Sequence, residues 1–242
     1  MSINTITYDG VAMPDFVTIT GVKVQVLPNI ENKFLSAPRM TGVIDAGHNL
    51  STKIISVDIM IKDSSIGAID KSEKIAEWLR VDDLKARKLV LPSHPNSYYL
   101  AKPNNSIELS DNIRTFRGTI EFLCTNPFRI SSTTVTVEGN STTYRGTANT
   151  SPILELKVTS PCPNIQLSVK NRGYNNFINL VGPFVLGDVI KIDLKTTKTY
   201  KNGKEDMKLW GLNSKPHKLC KGSNTYTLSN ATLTLKYEEN FA

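Results

Sequence analysis

Period-two alternation leaves this chain few architectures other than layered sheet. Ile55, Val57, Ile59 and Ile61 alternate with Ser56, Asp58 and Met60. The same rhythm returns at Leu154-Leu156-Val158, Ile165-Leu167-Val169, Ile190-Ile192-Leu194 and Leu233-Leu235-Tyr237. Successive strand residues face opposite sides of a sheet, so each run reads as a half-buried strand. Turn residues punctuate the runs at Asp9-Gly10, Asn171-Arg172-Gly173, Leu186-Gly187-Asp188, Asn202-Gly203 and Lys221-Gly222-Ser223. Asn202-Gly203, between Tyr200 and Met207, is a good hairpin signal. From Val135 onward no helical pattern occurs, and many short strands with one polar face predict an antiparallel sandwich or jelly roll.

The first half is mixed. Ile3 to Tyr8, then Val22-Val24-Val26 stopped by Pro28, read as strands, followed by Lys88 to Leu91, Ser97 to Lys102 and Arg117 to Cys124. Asp70 to Arg80, DKSEKIAEWLR, is the one helical segment. Ile75, Ala76 and Leu79 form its apolar stripe, and Asp70 with Glu73 reads as a capping box. Trp78 is expected in the core or at its rim. The class is α+β, β-rich with one helix. Between Asn29 and Leu50 the chain holds Pro38, Gly42 and Gly47 with little periodicity. An irregular connection that long implies function, or order gained on a partner.

The seam lies at Gly118 to Ser132, GTIEFLCTNPFRISS. An alternating strand meets Asn126-Pro127, where proline has no N–H to continue a ladder, and the polar run Ser131 to Thr134 follows. The expected domains are therefore 1–131 and 132–242.

Composition narrows function by exclusion. With 242 residues, 39% hydrophobic and 21% charged, the chain can build one large or two small cores. No apolar run is long enough to span a bilayer, and MSINTITYDG has no basic and apolar leader pattern, so synthesis in a cytoplasm is expected. The net charge of +7 is spread along the sequence, unlike the concentrated basic face with interleaved aromatics of a nucleic-acid binder. Cys124, Cys162 and Cys220 are odd in number and far apart, which suits reduced thiols. His48, His94 and His217 belong to no metal motif, His217 with Cys220 being only a loose pair. Phosphate loops, nucleophile elbows and HExxH are absent, and Asp82-Asp83 beyond the helix reads as a solvated turn. No catalytic, cofactor or metal site is expected, and the chain reads as a non-enzyme. The functional rival is a carbohydrate-binding module recognising cell-surface glycans, with Trp210, Tyr174, Tyr200 or Tyr226 as the stacking platform. Trp210 follows the strand-like run Met207 to Leu209, so it either points outward or caps the edge of the core.

Taken in order, these signals resemble the distal tail protein family of long-tailed, non-contractile bacteriophages. The resemblance rests on Tyr8-Asp9-Gly10, the Ile54 to Ile61 strand, KSEKIAEWLR, Leu91-Pro92 with Tyr98-Tyr99, and GTIEFLCTNPF. It continues through SPILELKV, GDVIKID, Asn202-Gly203 and Leu219 to Asn224. Asn126 departs from the family, which usually has an acid before that proline. The resemblance implies a homohexameric ring at the tail tip, formed by the first domain, with a galectin-like sandwich as the second. It implies as partners the tail tube protein, a tail-associated fibre or lysin protein and receptor-binding components, with DNA traversing the channel unread. It makes the 29–50 segment an intersubunit arm, with Phe34, Leu35, Arg39 and Met40 as candidate contacts.

Overall fold

The computed structural model describes residues 5–61, 67–80, 82–83, 85–104, 116–173 and 175–242. The chain divides into two compact units, Met1–Arg129 with Ala242, and Ile130–Phe241. The first holds β1 (Thr7–Tyr8), β2 (Val11–Ala12), β3 (Val17–Val24), β4 (Ile30–Leu35), β5 (Ile44–Leu50) and β6 (Lys53–Ile61). Helix α1 (Ala68–Leu79), β7 (Arg87–Val90), β8 (Ser97–Pro103) and β9 (Phe116–Cys124) complete it. The strand expected from Ile3 starts outside the described residues, and β1 covers its end. The main sheet of this unit is antiparallel throughout, in the order β3-β6-β9-β8-β7-β1-β2.

β6 is the spine of this unit, because every second residue of it is buried. Ile55, Val57, Ile59 and Ile61 pack with Ile120 and Phe122 of β9 and with Ile75, Trp78 and Leu79 of α1. The Trp78 and Phe122 rings meet nearly at right angles, 6.5 Å apart, and the indole Nε1–H donates to the Val11 carbonyl at 3.0 Å. Trp78 is therefore core, with its one polar atom satisfied. The capping box is not formed: Gly67 is the N-cap and Asp70 lies within the first turn, where its charge favours the helix dipole instead.

β3 differs from its sequence pattern. It begins at Val17, and a bulge between Ile19 and Gly21 resets its parity. Val22 and Val24 still oppose Val57 and Ile55, but stand 38% and 37% exposed, and Val26 lies beyond the strand's end. Period two identifies a strand here without revealing that its core-facing side is left open.

The second unit holds β10 (Arg129–Glu138), β11 (Ser141–Tyr144), β12 (Ile153–Val158), β13 (Cys162–Lys170), β14 (Asn175–Phe184) and β15 (Val189–Asp193). It continues with β16 (Lys198–Lys201), β17 (Lys204–Glu205), β18 (Gly222–Thr227) and β19 (Ala231–Phe241). One layer runs β17-β16-β15-β12-β19-β10 and the other β11-β18-β13-β14. The inward residues of both, among them Leu154, Leu156, Ile165, Leu167, Ile190 and Leu235, share one core, which makes a two-layer antiparallel sandwich. Asn202-Gly203 closes the β16–β17 hairpin with both φ angles positive, at 49° and 82°, as a tight turn requires. The polar run Ser131 to Thr134 lies inside β10, because small hydroxyl residues fit a strand as well as a loop. Residues 207–209 form a 3-10 turn where a strand-like run was expected, capped by Asp206 accepting from the Lys208 N–H.

His217 is buried in this core, its Nε2 2.9 Å from the Tyr226 hydroxyl and its Nδ1 without a partner. The ring is thus held in the sandwich interior against Tyr226. Burial pushes its pKa down to about 4. A histidine whose folded pKa lies below its unfolded value stabilises fully above the unfolded pKa of about 6.5, and that stability is lost as pH falls from there through about 4. His217→Gln removes the titration, so the wild-type-minus-variant difference in unfolding free energy should shrink by about 3 kcal/mol between pH 7 and pH 4. Urea denaturation at the two pH values checks this.

Candidate functional site

The residues that stand out for function are those of β4 and β5, which pair only with each other among the described residues. The base of this arm is fixed to the spine. Gln25 N–H donates to Ile54 O, Ile54 N–H to the Gln25 side-chain carbonyl at 2.9 Å, and Asn29 N–H to Thr52 O at 3.0 Å. Ser51 N–H returns to Asn29 O at 2.8 Å, so the chain leaves and re-enters at the start of β6. The stretch expected to be irregular is therefore a hairpin. Its register is Ile30 to Leu50, Asn32 to His48, Phe34 to Asp45 and Leu35 to Ile44. Three steps on β5 oppose two on β4 at the centre, where Gly47 takes a φ of +96° and its N–H donates to Asp45 Oδ1 at 2.8 Å. Only glycine adopts that φ without strain, and the inserted residue breaks the alternation of β5.

Both faces of the arm carry apolar side chains. β4 keeps its alternation, so Ile30, Asn32 and Phe34 share one face with their partners Leu50, His48 and Asp45. Leu35 and Ile44 lie together on the other face, with Glu31 and Asn49. None of the five large apolar residues is buried: exposures run from 44% for Leu50 to 61% for Leu35. Fully burying one such side chain contributes about 1.5–3 kcal/mol, and a lone two-stranded hairpin is marginal in water. The four residues expected at the contact all lie in the distal half. Phe34 and Leu35 stand on opposite faces, and Arg39 and Met40 occupy the tip, where Met40 N–H donates to Ala37 O. Ile30, Val43, Ile44 and Leu50 are exposed on the same arm as well. The insertion puts Ile44 and Leu50 on opposite faces despite their even spacing, so no count of alternation finds both.

A second apolar surface lies on β3, whose outer edge has no strand beside it among the described residues. Ile19, Val22 and Val24, with Pro92 and Ser93, line a groove of about 510 Å³. The polar side of the same sheet is pinned by Asp58, which pairs with Lys23 at 2.9 Å and accepts from the Thr119 hydroxyl at 2.8 Å. These bonds hold its carboxyl below the usual range.

The other candidates separate. Asp83 belongs to an ion-pair cluster with Arg87, Lys85 and Asp9, and its pKa is held at about 2, chiefly by the Lys85 N–H and then by Arg87. The Cys124 thiol is pushed up to about 12 by burial. No group of three His, Cys, Asp or Glu suited to a metal occurs among the described residues. Tyr200 sits on β16 with the Lys191 ammonium 5.9 Å over its ring, whereas Trp210 packs against the sandwich core and bridges to Leu180 on β14. Tyr174 lies outside the described residues, and Tyr226 is buried against His217.

Residues 16–124 match the family described as phage tail protein RIFT-related domain, and residues 145–241 match the C-terminal domain of the siphovirus-type tail component. The chain belongs to the distal tail protein family of siphophages. It is a structural component of the phage tail. Its fold is that of the phage SPP1 Dit protein, whose crystal structure is described as a paradigm of the hub adsorption apparatus in phages infecting Gram-positive hosts. The two share 17% identity at a TM-score of 0.81, over 98% of this chain and 99% of that one. A chain of the phage P2 baseplate in its activated conformation with calcium matches at 10% identity and a TM-score of 0.42, over 94% and 92%. No curated protein matches the sequence.

Because the arm's apolar residues touch no core, Leu35→Ser with Ile44→Ser should leave unfolding free energy within about 0.5 kcal/mol of wild type. Ile59→Ala, at a position 1% exposed, should cost about 2–5 kcal/mol. Urea unfolding of the two variants at low protein concentration makes the comparison.

Proposed function

We propose that this distal tail protein is the hub of the tail tip, closing as a homohexameric ring between the tail tube protein and the tail-associated fibre or lysin protein. The observation that carries the reading is the arm: a fixed base, a defined register and apolar side chains on both faces that its own unit leaves uncovered. A ring needs a heterologous interface, in which one patch meets a different patch on the next copy. The arm offers one half of such a contact, through Leu35, Ile44, Phe34, Arg39 and Met40. The β3 groove, lined by Ile19, Val22 and Val24, offers an apolar surface of matching chemistry on the same unit. The sandwich, galectin-like in this reading, serves as the platform that can anchor receptor-binding components, and DNA passes through the ring without sequence readout. The domain assignment is a ring-forming unit over 1–131 and a sandwich over 132–242.

Light scattering on the purified chain, alone and with its tail tube partner, followed by negative-stain imaging, tests the reading. The expected particle has about six times the chain mass of 26.8 kDa and an open centre. Leu35→Ser with Ile44→Ser should reduce it to the monomer. Rings that persist in this variant would remove the arm from the interface, and a monomer under every condition, tube partner included, would contradict the ring.

A further inference from the structure

The net charge is unevenly placed. Residues 130–241 carry 14 Lys and Arg against 8 Asp and Glu, so six of the seven net positive charges belong to the sandwich. Within the sandwich the two layers differ again. The layer holding β12, β15, β16, β17 and β19 mixes the two signs, with Lys198 paired to Glu205 at 3.0 Å and Lys236 to Glu155 at 2.8 Å. The layer of β11, β18, β13 and β14 contains no acidic residue at all, and none occurs from Leu156 to Gly187 or from Met207 to Tyr237.

That acid-free layer has an ordered outward face. Cross-strand partners put Ser141, Thr225, Lys170 and Asn175 in one row, Thr227, Ser168 and Phe177 in the next, and Gln166 with Asn179 in a third. The inward positions between them, Ile165, Leu167, Val169, Ile178 and Leu180, are buried, so the polar side chains must point away from the core. Basic residues border this face. Arg172 lies in the β13–β14 turn, Lys215 on the segment that runs along the edge of β14, Lys218 beside the same turn, and Lys221 directly before β18. Lys215 N–H donates to Phe177 O at 2.9 Å, and Asn171 Nδ2 donates to Lys218 O at 3.4 Å. All four of these basic side chains are exposed.

Hydroxyl and amide groups across four strands, bordered by cations and free of carboxylates, match a ligand that is both polyhydroxylated and anionic. Lysine predominates over arginine on the border, and a compact ammonium can meet the repeated phosphates of such a polymer as a point charge without the bidentate fork that arginine offers to phosphate and carboxylate alike. Among the described residues of this face Phe177 is the one aromatic, too few for successive stacked bases, which separates it from a single-stranded nucleic-acid groove. We propose that the outer face of the β11-β18-β13-β14 layer binds a phosphodiester-linked polyol polymer of the kind a cell surface can carry. The site uses none of the residues of the ring contact and is complete in a single chain. It also lies on the other layer from Tyr200.

The test is fluorescence anisotropy of the full chain with labelled poly(glycerol phosphate). Neutral dextran, polygalacturonate and a DNA duplex of matched charge are the comparisons. Binding should weaken steeply between about 50 and 200 mM salt. A variant carrying Lys170→Gln, Arg172→Gln, Lys215→Gln and Lys221→Gln should lose at least about tenfold in affinity. Its counterpart with Lys157→Gln, Lys191→Gln, Lys195→Gln and Lys198→Gln, which removes the same charge from elsewhere, should stay within about twofold. Thr225→Val with Thr227→Val, which removes hydroxyls and no charge, should weaken binding several-fold. Matched thermal unfolding of all variants keeps the comparison to binding. Equal losses in the two charge variants, tighter binding of duplex DNA or polygalacturonate, or no binding at low salt would each overturn the proposal.

Discussion

The first unit depends on the packing of β6. Its alternate side chains, Ile55 to Ile61, share a core with Phe122 and Trp78, and its backbone pairs with β3 and β9 along its length. That register also decides where the arm stands, because the clamps from Gln25, Asn29 and Ser51 close at the first residues of the same strand. A hydrophobic spine thereby fixes the base of an element that has no hydrophobic core itself. Order at the base and exposure beyond it are what an assembly element requires, since part of the entropy of placing the arm is met before its partner arrives.

The same logic separates what the sequence shows from what it hides. β6, α1 and the sandwich strands were legible because each buries one face, and burial imposes a period. Trp78 was legible as core for the same reason. The arm was not, since the insertion at Gly47 interrupts its alternation and no buried face demands one. The helix cap was misread because Asp70 and Glu73 satisfy the spacing of a capping box, whereas the helix begins earlier, at an extended Gly67 that makes no side-chain bond. Ser131 to Thr134 misled in the other direction: small hydroxyl residues serve loops and strands alike, and only pairing partners decide. Of the contact residues named from sequence, Phe34 joins Ile30 and Leu50 on one face and Leu35 joins Ile44 on the other, a grouping that needs the register.

The sandwich adds a different kind of surface. Its two layers share one strand geometry and differ in electrostatic character, one mixing both signs and the other free of acid. Sheet stability alone does not demand this, because opposite charges across strands are themselves favourable. A face that forgoes them keeps a positive potential over hydroxyls and amides, which attracts anions. Aromatic residues such as Trp210 and Tyr200 carry no trace of this pattern in the sequence. It becomes apparent only when residues distant in sequence, such as Ser141, Lys170 and Thr225, are placed in one row.

An arm preformed at its base and completed by a copy of the same chain leaves a direct signature in amide hydrogen exchange across 30–50, compared between the dilute chain and its assembled form. Rapid exchange in the arm of the free chain beside slow exchange in β6 is expected, with strong new protection of β4 and β5 on assembly. An arm already protected in the free chain, or one that exchanges equally fast in the assembly, would contradict this role.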